Sequence, residues 1–445
     1  MPEAMPFLPG LSPVAGKPLT ATFDGGLLSS DGGVIVLREI ALRLGIADVI
    51  TLPLPDLRDP LRITHTYADM ALVRMVLIAA GYEDCDDADA LRTDPAMKIA
   101  CGRAPVTGVD LMSQPTLSRL ENIADMTTLY RIGRGLIDLY CRSFAEAPYR
   151  IILDIDDTND MAHGQQELAL FNTHAGGTCF QPMLIFDGMT GKPILSLLRP
   201  GKRPSGEEAA RVLAHVIHRI RRHFPKVRIL VRGDSHYCSG PVLELLQTKR
   251  CDYMLGLSIN SKLATLVEPW KARCAMRRSS RKPSVRRFHQ MQYKAGAWSR
   301  SHKVIARVEA TALGTDARFV ITNLSGRAKH LYDKVYCQRG CMENLIKDMK
   351  LYTRSDKTAC SRWQANQFRL FLHMGAYWLL HTLRRTAPRR SVWRGATFET
   401  IRRTFVKIAV RVEEMKTRIK LSFPTSCPNA DMLATICDHI TARSR

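Results

Sequence analysis

The chain has 445 residues, enough for two to four domains with cores of their own, and a hydrophobic share of 45% excludes a disordered polymer. Its 65 Lys and Arg against 42 Asp and Glu leave a formal charge of +23. Solubility does not need such an excess, whereas a polyanion relieves its self-repulsion, so nucleic acid is the expected partner. The most apolar stretches, 70–82 and 368–383, are broken by Arg74, Arg369 and His373 and read as buried helices rather than membrane spans. No basic region followed by an apolar core opens the chain, so no secretory signal is expected. Twelve cysteines are scattered without zinc-type CxxC pairs, as in a cytoplasmic protein with reduced thiols.

Residues 1–22, rich in Pro and Gly, are expected to form a mobile arm. From 23 to 145 the periodicity is helical, with Ile40 and Leu44, then Met70, Val73 and Leu77, then Leu129, Ile132 and Leu136 on apolar faces. This predicts an all-helical N-terminal domain that binds DNA. Its acidic loop (Glu83, Asp84, Asp86, Asp87, Asp89) lacks the glycine and final glutamate of a calcium loop, so helix capping and solubility explain it better. The stretch SQPTLSRLEN at 113–122 combines an N-cap, a first-turn proline and small polar side chains around Arg119. It suits either a recognition helix in a DNA groove or an ordinary capped surface helix.

At 149 the pattern changes to strands. Residues 150–156, 167–171 with 180–186, and 193–198 read as consecutive strands, followed by a helix at 207–223, a strand at 227–231, a helix near 240–247 and a strand at 253–257. That order predicts an α/β, ribonuclease-H-like catalytic domain over 146–257 and 328–385. In such a sheet the first strand lies beside the fourth, which brings Asp156 and Asp234 to one edge. Asp154 shares a side of the strand with Asp156, and which of the two is the functional carboxylate stays open at this level. The intervening 258–327 is basic (Lys271, Arg273, Arg277, Arg278, Arg281, Lys282, Arg286, Arg287) and then strand-like, a predicted β-rich insertion that holds phosphates. Within it, Trp298 either stacks on an unpaired base or fills the insertion's small core.

A long helix is predicted over 328–352. At about 100° per residue, Tyr336, Arg339, Glu343 and Lys350 share one polar face, with Val335, Met342, Ile346 and Met349 beside it. Packed across the end of the sheet, that face adds Glu343 to Asp156 and Asp234. Three carboxylates repel one another unless a hard divalent cation such as Mg²⁺ sits among them. A helix at 362–385 and a basic C-terminal region at 386–445 complete the chain, the latter expected to touch nucleic acid on its exposed side.

The string YCQRGCMENLIKDMK carries Tyr336, Arg339, Glu343 and Lys350 at the Y-(2)-R-(3)-E-(6)-K spacing and so resembles the DDE transposases of bacterial insertion sequences. LDIDDT with HGQQE, LLRPGK, RGDSHY and SQPTLSRLEN extend the likeness to the insertion sequence 1380 family. The resemblance implies Asp156, Asp234 and Glu343 as the catalytic and metal-binding triad, and Tyr336, Arg339 and Lys350 as companions near the DNA end. It implies Mg²⁺ (replaceable by Mn²⁺), double-stranded DNA with terminal inverted repeats, a homodimer on paired ends, and residence in the cytoplasm at the nucleoid. The implied reaction is two-metal phosphoryl transfer, in which water frees a 3′-hydroxyl that then attacks target DNA. Asp157 stands where that family more often has a small residue. A ribonuclease-H-like nuclease or a regulator derived from a transposase are the alternatives. A P-loop is excluded, because Gly201-Lys202 lacks the earlier glycine and Arg203 replaces Ser/Thr.

Overall fold

The computed structural model describes residues 11–278 and 283–442. The first ten residues of the expected arm, and Arg281 and Lys282 of the basic run, lie outside them. The chain divides into two compact units, one of Met1–Asp48, Pro55–Leu120 and Leu379–Arg445, the other of Val49–Leu54 and Glu121–Trp378.

The first unit opens with a two-residue strand, β1 (Leu28–Ser29), and the helix α1 (Val34–Leu44). After α2 (Ile46–Thr51) comes α3 (Tyr67–Ala80), which starts at a capping box: the Thr66 hydroxyl accepts from the Asp69 amide (3.1 Å) and the Asp69 carboxylate accepts from the Thr66 amide (3.2 Å). Arg74 is fully buried within it, its guanidinium donating to the carbonyls of Glu83 and Asp84. Two short helices, α4 (Asp87–Leu91) and α5 (Pro95–Ala100), lead to α6 (Gln114–Glu121). Asp89 of the acidic loop accepts from the Gln114 amide (3.0 Å), so one of its carboxylates does cap a helix.

The second unit begins with α7 (Met126–Arg142), capped by Asp125, and the strand β2 (Arg150–Asp157). Three short strands, β3 (Asp160–Met161), β4 (Leu170–Asn172) and β5 (Gly177–Phe180), form a separate sheet in the order β3-β5-β4. The stretch 167–171 therefore belongs to a hairpin beside the main sheet. Then follow β6 (Met183–Asp187), β7 (Pro193–Leu197), α8 (Gly206–His223), β8 (Arg228–Gly233), α9 (Gly240–Thr248) and β9 (Asp252–Leu257). β6 is buried throughout, and its first four residues, Met183 to Phe186, read as an apolar run that ends at the buried Asp187. β2 runs parallel to β8 and antiparallel to β6, so the first strand does lie beside the strand before α9.

The basic segment departs from its sequence reading in two ways. It starts with a helix, α10 (Ser261–Arg277), which carries Lys271, Arg273 and Arg277. Its strands, β10 (Val285–Tyr293), β11 (His302–Thr311) and β12 (Gly314–Thr322), do not close on themselves but pair through β12 with β9. The result is one eight-stranded mixed sheet in the order β10-β11-β12-β9-β8-β2-β6-β7. Apolar alternation along β11 and β12 is satisfied equally by a small local core or by the common one, and the pairing partner decides between them.

The predicted long helix is helical from 328 to 352 but not uniformly α. It passes from α11 (Ala328–His330) through a π turn (Leu331–Tyr336) and a 3₁₀ turn (Cys337–Gly340) into α12 (Cys341–Lys347), and ends in a second π turn (Asp348–Tyr352). α13 (Trp363–Thr386) follows, with Phe371, Met374, Trp378 and Leu379 buried. The chain then completes the first unit with α14 (Phe398–Ile401), a π turn (Arg402–Val406), the hairpin β13 (Val410–Glu414) and β14 (Ile419–Ser422), and α15 (Ala430–Ala442). β13 pairs with β1, and the amides of Gly32 and Gly33 donate to the carbonyls of Ile408 and Val406. A Cβ on Gly33 would fall 1.7 Å from the Phe405 carbonyl oxygen, so only glycine permits that approach.

Candidate active site

The carboxyl ends of β2 and β8 form the centre of the site. The parallel register sets Ile155 opposite Gly233, so Asp156 and Asp234 are the next residues of adjoining strands. Asp234 leaves the strand to cap a short turn, accepting from the His236 amide (2.9 Å), and keeps its carboxylate partly open to solvent. Asp156 is more enclosed. Burial pushes its carboxyl up to about 6 against the pull of the Arg339 charge, and the neighbouring Asp234 charge adds to the rise.

Asp154, its companion on the same side of β2, is committed elsewhere. Arg232 on β8 grips it with two parallel hydrogen bonds (2.6 and 2.7 Å), both side chains being buried, and its remaining terminal nitrogen donates to the Val335 carbonyl (2.7 Å). That carbonyl belongs to the π turn just before Tyr336. The pair therefore ties the sheet to the helix that carries the YREK residues.

Across the 3₁₀ turn, Tyr336 and Arg339 are three residues apart and eclipsed. Arg339 donates to Asp156 Oδ2 (2.7 Å) and lies 6.0 Å over the Tyr336 ring. The Tyr336 hydroxyl sits against Gly256 of β9, where a Cβ would come within 2.7 Å of it, and burial pushes this phenol up to about 12. Lys350 reaches the segment that follows β2, donating to the Asn159 carbonyl and standing 3.4 Å from the buried Asp160 carboxylate. Burial pushes Asp160 up to about 7, with the Lys350 charge opposing it. Lys350 thus braces the chain after Asp156. Glu343, between Arg339 and Lys350 in sequence, is exposed, and no hydrogen bond or ion pair fixes it among the described residues. The structure joins Arg339 to Asp156 and sets Tyr336 and Asp234 close by, while Glu343 is left facing solvent.

Arg119 is exposed on α6, whose Leu117 and Leu120 are buried. Trp298 as a base-stacking platform is corrected by the structure. It is only 7% exposed, with its ring edge-to-face against Tyr293 (5.7 Å) and His302 (5.4 Å). A base needs an open ring face, and this indole is packed into the connection between β10 and β11, near Gly240 at the start of α9.

Three further residues complete the site. Asp157 points away from Asp156, as strand alternation requires, toward His236 Nδ1 (3.3 Å) and the Gln181 amide. Gln181 is in turn held by its backbone: its amide donates to the Arg199 carbonyl (3.0 Å), and Arg199 forks onto Glu208 with two 2.6 Å bonds. The hydrogen bond to Asp157 raises the His236 pKa, with burial opposing it. His236 Nδ1, Asp157 and Asp234 offer ligand atoms all within 4.8 Å of one another. The signal for His236 was present in RGDSHY, two residues past Asp234. Its proximity to Asp157 is a matter of tertiary contact. Oxygen-rich donors at the ends of two strands, partly open to solvent, fit a divalent cation.

The HGQQE motif is structural by comparison. The Gln166 amide donates to the Thr358 carbonyl (2.8 Å), and Glu167 accepts from the Trp363 amide (3.1 Å), fastening the hairpin to the start of α13.

A family model described as "Transposase DDE domain group 1" matches residues 11–444. Among solved structures, the chain is similar to a piggyBac transposase in a synaptic complex with hairpin DNA, at 11% identity and a TM-score of 0.42 over 85% of this chain and 80% of that one. No curated protein matches.

Proposed function

The chain belongs to the DDE transposases, metal-dependent enzymes of DNA transposition, and from that premise we propose that it cuts and joins the ends of a bacterial insertion sequence of the 1380 family. The domain that does so is ribonuclease-H-like, and Asp156, Asp234 and Glu343 are its catalytic carboxylates and metal ligands. The observation that carries this assignment is the pair of anchors on either side of Glu343. Arg339, one turn before it, reaches Asp156, and Lys350, two turns after it, reaches Asn159. Those anchors hold the Glu343 segment to the carboxyl end of β2.

Mg²⁺, or Mn²⁺ in its place, would be held by the three carboxylates and would supply an activated water and charge neutralisation at the phosphate. Asp156 must lose its proton to serve as a ligand, and its raised pKa sets the pH near 6 below which the site fills poorly. Arg339 is poised to exchange Asp156 for a scissile phosphate, which its planar fork suits. Tyr336, packed on Gly256, supports the guanidinium from beneath. Lys350 acts from within, fixing the segment after Asp156. The helical N-terminal region at 23–145 and the basic C-terminal region at 386–445 contact the terminal inverted repeats, with Arg119 exposed for a phosphate or base edge. A homodimer pairs the two ends in the cytoplasm, at the nucleoid.

The test is incubation of the protein with Mg²⁺ or Mn²⁺ and a plasmid carrying its own gene with flanking DNA, mapping new 3′ ends. Breaks at the two boundaries of the element that vanish in Glu343→Gln, with end binding retained, are the expected result. Breaks without sequence preference would point to a nuclease. Boundary binding without breaks would point to a regulator.

A further inference from the structure

We propose that His236, Asp157 and Asp234 form a tetrahedral site for a transition-metal ion such as Zn²⁺, distinct in ligand set from the Mg²⁺ position of the carboxylate triad. Donor type is the first argument. Mg²⁺ takes oxygen and resists nitrogen, whereas imidazole suits Zn²⁺ and its first-row neighbours.

Donor spacing is the second. Bonds of about 2.0–2.1 Å place tetrahedral ligands about 3.4 Å apart, whereas cis ligands of an octahedral Mg²⁺ stand about 2.9 Å apart. His236 Nδ1 lies 3.3 Å from Asp157 Oδ1 and 3.7 Å from Asp234 Oδ2. The first is within about 0.1 Å of the tetrahedral separation and the second exceeds it by about 0.3 Å, while all three donor atoms lie within 4.8 Å of one another, so one ion reaches them with modest adjustment of the side chains.

The support around the ligands is the third argument. Asp157 Oδ2 is taken by the Gln181 amide, which leaves Oδ1 aimed at the imidazole. Gln181 is itself held through Arg199 and Glu208, so the carboxylate is oriented from behind before any ion arrives. His236 and Asp234 are 38% and 29% exposed at the side chain, so the donors can be reached from solvent. Because Asp234 serves both sites, an ion held by His236 competes with Mg²⁺ for it. That consequence, though not the metal site itself, rests on the transposase reading.

The probe is Co²⁺, whose tetrahedral complexes absorb visible light far more strongly than octahedral ones. Titrated into the full-length protein, Co²⁺ is expected to produce intense visible bands that equimolar Zn²⁺ removes. His236→Gln and Asp157→Asn should abolish them, Gln181→Ala should weaken Co²⁺ binding roughly 10–100-fold, and Glu343→Gln should leave them intact. Weak octahedral bands, or intense ones that survive His236→Gln and so belong to cysteines, overturn the site. The same Glu343→Gln protein tested for DNA breaks separates the two readings: cleavage by it sinks the catalytic triad and leaves the cobalt result standing.

Discussion

Asp154 and Arg232 show how a motif residue can be taken up by the fold itself. Two opposite charges at 1% and 2% side-chain exposure are costly to desolvate, and the bidentate geometry with a third bond to Val335 is what offsets that cost. Removing one partner leaves the other charge buried and alone. Arg232→Met is therefore expected to lower unfolding free energy by about 3–5 kcal/mol in denaturant titration. Arg232→Lys should recover only part of it, since an ammonium cannot fork across a carboxylate and a carbonyl together. A loss below about 1 kcal/mol for Arg232→Met would mean that the pair is not holding the helix.

At the scale of the element, the helix over 328–352 is organised by its changes of pitch. A regular α-helix would leave Tyr336 and Arg339 about 60° apart around its axis, whereas the 3₁₀ turn brings them into register, so the phenol supports the guanidinium. The Val335 carbonyl, in the first π turn, accepts from Arg232, and the π turn after Lys347 carries Lys350. Gly256 is the partner this arrangement needs, because a methyl there meets the Tyr336 hydroxyl at 2.7 Å and the Ser235 amide nitrogen at 2.9 Å. Gly256→Ala should cost about 1–3 kcal/mol by overpacking. Its DNA cleavage should fall much further than its folded fraction, because the displaced groups are Tyr336 and the turn after Asp234. Cleavage per folded molecule equal to wild type would remove Tyr336 from the site.

For the whole molecule the charge of +23 is the controlling quantity. Binding to DNA releases counterions, and a protein neutralising six to ten phosphates loses roughly 10³–10⁵ in affinity between 50 and 200 mM salt. A slope of log affinity against log salt of about −5 or steeper is expected on a fragment bearing an element end. A slope near zero would mean that the basic surfaces do not track the backbone. No helix among the described residues is long and apolar enough to cross a membrane, in line with the interruptions by Arg74, Arg369 and His373.

Local chemistry made much of this protein legible from its sequence. Strand periods, caps and the spacing of Tyr336, Arg339, Glu343 and Lys350 are set within a few turns of chain, so they survive in the one-dimensional pattern. The neighbouring of β2 and β8 also followed from element order. Pairing and burial over long separations did not. Whether 285–322 closes on itself or extends the main sheet, and whether Asp154 or Asp156 faces Arg232, depend on partners about sixty to eighty residues away, and whether Trp298 is open or enclosed depends on how its connection folds back on the strand ends. The same holds for His236, a histidine beside one aspartate in sequence and beside two in space. Such contacts form only when the chain closes, because the register of a sheet, and not the identity of a residue, decides what stands opposite it.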